Sequence, residues 1–184
     1  MRRPLVLAAA TFLAVGGLAP AAASADASAA PACGITWGSL DKAAPQYTQA
    51  TVEDVRAGRH DCYDRLVIEL GPGAQTGYLV RYVPQFTQDF TGDPIPLRGA
   101  ADLEVIVHAP AYDEDFNPTW DPPDHLEAVN VTGFDTFRQV VDSVSWEGQT
   151  QIGVGVRARL PFRAFVLAGP GAGSRLVIDV AHSW

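Results

Sequence analysis

The residues most able to do chemistry stand together in one short turn. This polar turn comprises Arg59, His60, Asp61, Asp64 and Arg65. His60 could act as a general base oriented by Asp61 or Asp64, the arrangement with which hydrolases activate a nucleophile. No free nucleophile accompanies it, however, if Cys62 is oxidised. The sequence therefore favours a structural or binding turn held by hydrogen bonds and ion pairs, and makes hydrolysis the weaker hypothesis.

Metal binding is a second possibility. The four histidines stand at positions 60, 108, 125 and 182, which is too scattered for a zinc signature. The loop between residues 109 and 135 carries many carboxylates, which calcium prefers, but the spacing from Asp113 lacks the glycine and glutamate of an EF-hand. We therefore predict a solvated acidic loop and no cofactor, with calcium bound by Asp113, Asp115 and Asp121 as the alternative.

Aromatic and arginine side chains offer a third kind of chemistry, the recognition of sugars and carboxylates. Tyr78, Arg81 and Tyr82 lie close together on one predicted strand, and Arg163 lies on a later one. These four residues are the candidate ligand-binding set. The residue types favour a second interpretation, in which Tyr78 and Tyr82 share one strand face and pack inward, because aromatic side chains often fill the cores of such folds.

Short strands must position these residues. Apolar residues recur at every second position, as in Leu103, Val105 and Val107, and no stretch of ten or more residues keeps a 3.6-residue period without glycine or proline. An edge piece is expected around Ile95 and Leu97. The remaining strands are predicted at residues 51–57, 63–70, 78–83, 102–108, 137–147, 151–160, 162–167 and 175–182. Eight or nine short strands predict an all-β, antiparallel sandwich or barrel.

Two of these segments are nearly identical. Arg65–Leu70 reads Arg-Leu-Val-Ile-Glu-Leu, and Arg175–Val180 reads Arg-Leu-Val-Ile-Asp-Val. The similarity suggests two related hairpins, although the residues are also ordinary strand formers. We expect residues 63–70 to form a hairpin with residues 78–83 across a glycine-containing link, and residues 42–49 to form a loop.

The first 25 residues have the features of a signal peptide. Two arginines precede the apolar run 5–18, and Ala23-Ser24-Ala25 provides an Ala-x-Ala cleavage site. The run is shorter than the roughly 20 residues of a membrane-spanning helix. We therefore expect residues 1–25 to be removed on export. The remaining protein is then secreted and extracytoplasmic, has no membrane span, and could associate with the cell wall.

Both cysteines belong to the exported part. A disulfide between Cys33 and Cys62 is the economical interpretation, since disulfides persist outside the cytoplasm. Lipidation of Cys33 and a reactive thiol pair are the alternatives. The bridge would stabilise the fold by about 3–4 kcal/mol in the chain-entropy model. It would dock a flexible N-terminal segment, residues 26–50, onto a single domain formed by residues 51–184.

The charge of the chain limits its partners. The formal net charge is −8, and cleavage of the signal peptide removes two arginines. Nucleic acids and anionic lipids are therefore poor partners.

The oligomeric state is a separate prediction, and we expect the protein to be a monomer.

Four segments together resemble a known family. They are Arg56–Val67, Gly77–Val83, Pro161–Leu167 and Arg175–His182. In this order they resemble the AMIN-like domain of secreted proteins and lipoproteins from high-GC Gram-positive bacteria. Cys33–Ser39 is similar to the segment that precedes that domain in family members.

The resemblance implies an antiparallel β-sandwich similar to the AMIN domain, a non-catalytic module that places cell-wall amidases and secretins by binding peptidoglycan. It implies no catalytic residues. We expect an envelope binding module, not an enzyme, whose partner is peptidoglycan or another cell-wall glycan. A module for contacts with an envelope protein is the alternative, and a hydrolase using His60, Asp61 and Asp64 is third. Residues 109–135 depart from the family pattern in length and acidity.

Overall fold

The computed structural model describes residues 33–73 and 75–184, so the predicted signal peptide and residues 26–32 lie outside the described part. A single turn of 3-10 helix spans His125–Glu127. Within the described ranges, no helix has the length and apolar character needed to cross a membrane. The strands are β1 (Lys42–Ala44), β2 (Val52–Arg59), β3 (Tyr63–Leu70), β4 (Tyr78–Val83), β5 (Ala101–Val107), β6 (Phe137–Trp146), β7 (Gln149–Val156), β8 (Phe162–Ala168) and β9 (Ser174–Ala181).

These strands form two sheets, and every pairing is antiparallel. Sheet A has the order β1-β4-β5-β7-β6, and sheet B has the order β2-β3-β9-β8. The all-β, antiparallel β-sandwich is therefore confirmed, with nine strands in the described residues.

The core lies between the two sheets. Alternation along each strand directs one set of apolar side chains inward, such as Leu66 and Ile68 from β3 and Val105 from β5, and all three are fully buried. Burial of an aliphatic side chain of this size contributes about 1.5–3 kcal/mol relative to exposure. The period of two that predicted the strands is thus also the pattern that fills the core.

The predicted hairpin between residues 63–70 and 78–83 is wrong. β3 pairs with β2 and β9, whereas β4 pairs with β1 and β5 in the other sheet. The connection from residue 71 to residue 77 is longer than a tight hairpin loop and carries the chain from one sheet to the other. At its end, Gly77 lies so close to the backbone of Gln46 that a β-carbon would stand 2.1 Å from the Gln46 carbonyl oxygen.

The two nearly identical segments also differ from the prediction. They do not belong to separate hairpins, because β3 and β9 are direct neighbours at the centre of sheet B. Their antiparallel register places Arg65 opposite Asp179 and Glu69 opposite Arg175. Each arginine therefore faces the acid of the other strand.

Two short segments differ from the strand prediction, and one of them belongs to sheet A. Residues 42–44, predicted as loop, form β1 and pair with β4. The predicted edge piece around Ile95 and Leu97 is not a strand; an isolated bridge joins Thr87 to Pro94, and the Ile95 N–H donates to the Phe86 carbonyl at 3.0 Å. Phe86 is fully buried.

The predicted disulfide between Cys33 and Cys62 is confirmed. It ties the N-terminal segment to the turn between β2 and β3. Further along that segment, the Gly38 carbonyl accepts a hydrogen bond from the Phe162 N–H at 2.8 Å, at the start of β8. The segment is therefore fixed to sheet B at two points.

Candidate functional site

An open cleft of about 510 Å³ lies between the long loop, residues 109–135, and the end of β6. We call it the aromatic cleft. Four aromatic side chains line it: Tyr112, Phe116, Trp120 and Trp146. Its polar lining consists of Asp121, His125, Asp142, Ser145 and Glu147. Aromatic walls with a few polar groups are typical of a site for small-molecule or sugar ligands.

Hydrogen bonds to the sheets hold the loop in place. The Val52 N–H donates to the Pro110 carbonyl at 2.7 Å, and the Thr119 hydroxyl donates to the Val52 carbonyl at 2.7 Å. On the other side, the Ala111 N–H donates to the Ser145 hydroxyl oxygen at 2.7 Å. The loop is thus bonded to β2 in sheet B and to β6 in sheet A, so the wall of the cleft is formed without a ligand.

The tip of the loop presents Phe116 at the rim. The Asp113 carboxylate accepts hydrogen bonds from the N–H groups of Asp115 and Asn117 at 3.0 and 2.8 Å. The side-chain amide of Asn117, together with these N–H groups, holds the pKa of Asp113 below its ordinary value. Phe116 has a φ of 63°, is 79 % exposed, and stacks on Tyr112 at 5.6 Å. Such a conformation is unusual for a bulky residue, and strained residues of this kind concentrate at functional sites.

The turn between β6 and β7 forms the opposite wall. Glu147 and Gly148 both have positive φ, 50° and 78°, as a two-residue type I′ hairpin turn requires. The Gly148 N–H donates to the Tyr112 hydroxyl at 3.2 Å, which joins this turn to the loop. Trp146 directly precedes the turn and leaves 55 % of its surface exposed. Its ring contacts Phe90 at 5.5 Å.

Charged groups form the remaining part of the cleft. His125 lies between two carboxylates, with Nδ1 2.9 Å from Asp142 Oδ2 and Nε2 3.4 Å from Asp121 Oδ1. The Asp142 side chain is only 12 % exposed. Its burial raises the pKa of Asp142, an effect that the hydrogen bond and charge of His125 partly oppose.

The structure separates most of the predicted ligand-binding set. Tyr82 points into the core, where its hydroxyl donates to the Leu160 carbonyl at 2.9 Å, and the Tyr78 hydroxyl donates to the Ala164 carbonyl at 2.8 Å. Burial raises the pKa of both tyrosines. Arg81 lies on the opposite face of β4. The shared binding surface is therefore wrong, and the inward packing of Tyr78 and Tyr82 is confirmed, because neighbouring residues of a strand alternate between faces.

Arg163 and Arg65 meet on the outer face of sheet B. Both guanidinium groups donate to the fully buried carboxylate of Asp179, Arg65 at 2.6 and 2.9 Å and Arg163 at 2.8 Å. The hydrogen bond with Asp179 raises the pKa of Arg65. Arg163 also lies over the ring of Trp37 at 4.4 Å. One predicted turn residue and one predicted binding residue thus belong to a single charged cluster.

The other members of the polar turn have separate partners. Arg59 donates to Asp135 at 2.7 Å, and His60 stacks on Tyr63 at 4.6 Å. Asp61 is exposed. The fully buried Asp64 faces His182, at 3.0 Å, and not His60. The structure therefore does not assemble the three residues of the hydrolase hypothesis into one site.

Asp64, Asp135 and His182 are the one group in the described residues whose ligand atoms lie close enough together, within 4.8 Å, to hold a metal ion. The predicted calcium ligands Asp113, Asp115 and Asp121 are not among them. Protein donors already occupy the two carboxylates of this group. Backbone N–H groups and His182 bond Asp64, and Arg59 bonds Asp135.

With the geometry of fold and cleft described, a comparison of sequences identifies the family. The model of the AMIN-like domain matches residues 50–182. The chain belongs to the AMIN-like family. Membership suggests an envelope-associated binding module, and the disulfide agrees with an extracytoplasmic location. No curated protein and no solved structure gives a significant match.

The sequence reasoning identified the long loop of this AMIN-like domain but missed the residues that make it a candidate site. It considered the acids of the loop and not the aromatic residues among them. A signal was present, since Tyr112, Phe116 and Trp120 recur at every fourth position of a polar, proline-containing segment. Trp146 carried no comparable signal, because it ends an ordinary predicted strand.

Proposed function

We propose that this AMIN-like domain is an exported, monomeric and non-catalytic module that binds a cell-wall glycan, foremost peptidoglycan, through the aromatic cleft. The observation that supports the proposal is the pair of exposed rings, Phe116 and Trp146, on opposite walls of a cleft that the loop forms in advance. The resemblance to secreted proteins and lipoproteins of high-GC Gram-positive bacteria supports the wall as the location.

The lining suits a sugar chemically. Aromatic faces stack against the apolar faces of sugar rings, and carboxylate oxygens accept hydrogen bonds from their hydroxyl groups. The cleft offers both, since Asp121 and Glu147 line it together with the exposed ring of Trp146. Because hydrogen bonds already hold the loop, binding need not order it, which lowers the entropic cost of association.

The test is sedimentation of the purified domain with insoluble peptidoglycan, at low and high salt. We expect the domain to pellet and the Trp146→Ala variant to bind about fivefold more weakly, since one aromatic stacking contact contributes about 1 kcal/mol. The matched control is Trp184→Ala, because Trp184 is 74 % exposed but lies outside the cleft. Melting temperatures of both variants establish that the fold is intact.

Three outcomes would contradict the proposal. Retention on the wall that Trp146→Ala and Phe116→Ala leave unchanged would mean that another surface binds. A domain that stays in the supernatant, yet co-purifies with one envelope protein after wall digestion, would make protein contact the function. Release of soluble sugar products by the wild-type domain, measured in the same samples, would make it an enzyme.

A further inference from the structure

The lining of the aromatic cleft is strongly acidic. It contains three carboxyl groups, Asp121, Asp142 and Glu147, and no lysine or arginine among the described residues. His125 is the one lining side chain that can become positive, and both of its ring nitrogens already face carboxylates. Even a protonated His125 leaves the lining with excess negative charge when the three carboxyl groups are ionised.

The acids of the cleft differ from several carboxylates elsewhere in the described domain. Those carboxylates pair with arginines, as Glu69 does with Arg56 and Glu104 with Arg81. The long loop has no lysine or arginine of its own. Asp121, which lines the cleft, has no arginine partner in the described residues, and the same holds for four other acids of the loop: Asp113, Glu114, Asp115 and Asp124. A concave site surrounded by one sign of charge attracts ligands of the opposite sign.

Two of the lining carboxylates are placed to receive a cation. Asp142 uses Oδ2 for the contact with His125, and 12 % of its side chain remains exposed. Glu147 adjoins Trp146, the aromatic residue type that binds cations best through its ring face. An ammonium group in the cleft would therefore meet both carboxylates and an aromatic face, which together replace the water that it loses.

We infer that the aromatic cleft selects wall-glycan segments that carry a free, protonated primary amine, either on the sugar ring or on an attached peptide. The inference rests on the proposed function that the cleft binds a wall glycan. The same charge disfavours anionic wall polymers, because a phosphate or uronate group would face Asp121, Asp142 and Glu147.

Comparing the affinities of two tetrasaccharides of equal length distinguishes recognition of the charge from recognition of the sugar. Titration calorimetry at about pH 6, where such an amine is protonated, compares the glucosamine tetramer with the N-acetylglucosamine tetramer. We expect the glucosamine tetramer to bind at least about tenfold more tightly, and added salt to reduce this preference. A second arm compares a disaccharide peptide whose side-chain amine is free with the same compound N-acetylated, which distinguishes a peptide amine from a sugar amine.

Substitutions test which residues cause the preference for the amine. Glu147→Gln and Asp121→Asn should each reduce the preference for the amine over the acetylated tetramer at least about threefold, because the amide keeps an oxygen that accepts from sugar hydroxyl groups but loses the negative charge. Asp54→Asn on β2 removes an equally exposed acid away from the cleft and should leave the preference intact. If Asp54→Asn reduced it equally, the net charge of the protein and not the cleft would be responsible, and the inference would be overturned.

The remaining outcomes separate the inference from the function on which it rests. If both members of each pair bind equally, or the acetylated member binds more tightly, the inference fails while glycan binding stands. If no compound binds and the domain does not pellet with peptidoglycan, the proposed function fails as well. Pelleting without binding of either amine compound would overturn the inference alone.

Discussion

Asp64 joins β3 of sheet B to the beginning of β6 in sheet A. The carboxylate is fully buried and accepts hydrogen bonds from the N–H groups of Thr136 and Phe137 at 2.5 and 2.9 Å. His182 Nε2 lies 3.0 Å from its other oxygen. A buried carboxylate with this many partners fixes the geometry of the groups around it, and its removal leaves them without acceptors.

The Asp64→Ala substitution should therefore be severely destabilising. Two buried N–H groups would lose their acceptor, at a cost of about 1–3 kcal/mol each, so we expect the free energy of unfolding to fall by about 3 kcal/mol or more. Urea denaturation measures the change. The neighbouring Asp61→Ala, at an exposed position, should shift it by no more than about 0.5 kcal/mol. Equal effects of the two substitutions would show that Asp64 does not link the sheets.

Asp142 gives the cleft a pH dependence with a defined sign. Because burial raises its pKa above the ordinary value of 3.8, the folded state holds this proton more tightly than the unfolded state. Its contribution therefore favours folding at low pH and is lost as the pH rises through the folded-state pKa. Carbon-13 titration of the Asp142 carboxyl should give a midpoint above 3.8.

Replacing His125 by Asn tests the cause of this shift. The substitution removes the charge and hydrogen bond that lower the pKa of Asp142, so the midpoint should rise further. A midpoint at or below the ordinary value in the unsubstituted protein would contradict the burial of this carboxyl group.

At the scale of single residues, the sequence identified important residues but not their partners. It singled out the polar turn, and the period of two already implies that Asp64 and Arg65 face opposite sides of β3. The partners of these two residues, His182 and Asp179, lie 118 and 114 positions further along the chain. Contacts over such distances depend on the arrangement of whole strands, which no local pattern contains.

At the scale of elements, β7 depends on a close approach between a glycine and a ring. The segment Pro84–Gly99 crosses the outer face of sheet A and lays the fully buried Phe86 directly over Gly153. A β-carbon at this glycine would stand 2.6 Å from the ring. In β7 the aliphatic residues thus point toward the core, whereas the glycines face the covering segment and leave space for it.

We expect Gly153→Ala to reduce the free energy of unfolding by about 1–3 kcal/mol, the usual cost of overpacking, because the buried ring of Phe86 must move. Gly58→Ala is the matched control. Gly58 also lies in a strand, but a β-carbon there would meet only His60 Nε2, at an ordinary 3.7 Å. Thermal unfolding of both variants measures the difference, and equal melting temperatures would mean that Phe86 does not press on β7.

The elements were the most predictable level of this fold. Most strands lie where the alternation of apolar residues placed them, because that alternation is what buries them. Two features of the fold could not be predicted from this alternation. β1 is only three residues long and has no alternation to detect, and the sheet to which β4 belongs is decided by the connection before it.

At the scale of the whole molecule, the charged cluster on sheet B and the aromatic cleft have opposite charge. The outer face of sheet B carries Arg65 and Arg163 around one buried acid, whereas the aromatic cleft beside β6 carries acids and no arginine in the described residues. The length and acidity of the loop were evident in the sequence. The cleft itself was not, because its second wall comes from β6, and the contact between loop and strand exists only in the folded sandwich.

The central position of the β3–β9 pair also determines how the molecule can fold. Arg65 and Asp179 are 114 positions apart, so sheet B cannot close around its middle until almost the whole domain is available. Closing so large a loop costs entropy before any contact repays it, and folds dominated by such distant pairings form in milliseconds to seconds. Until β9 pairs with it, β3 has an unpaired edge beside a row of apolar side chains. A newly made chain therefore passes through a period in which this strand can pair with another copy, and aggregation competes with folding during that period.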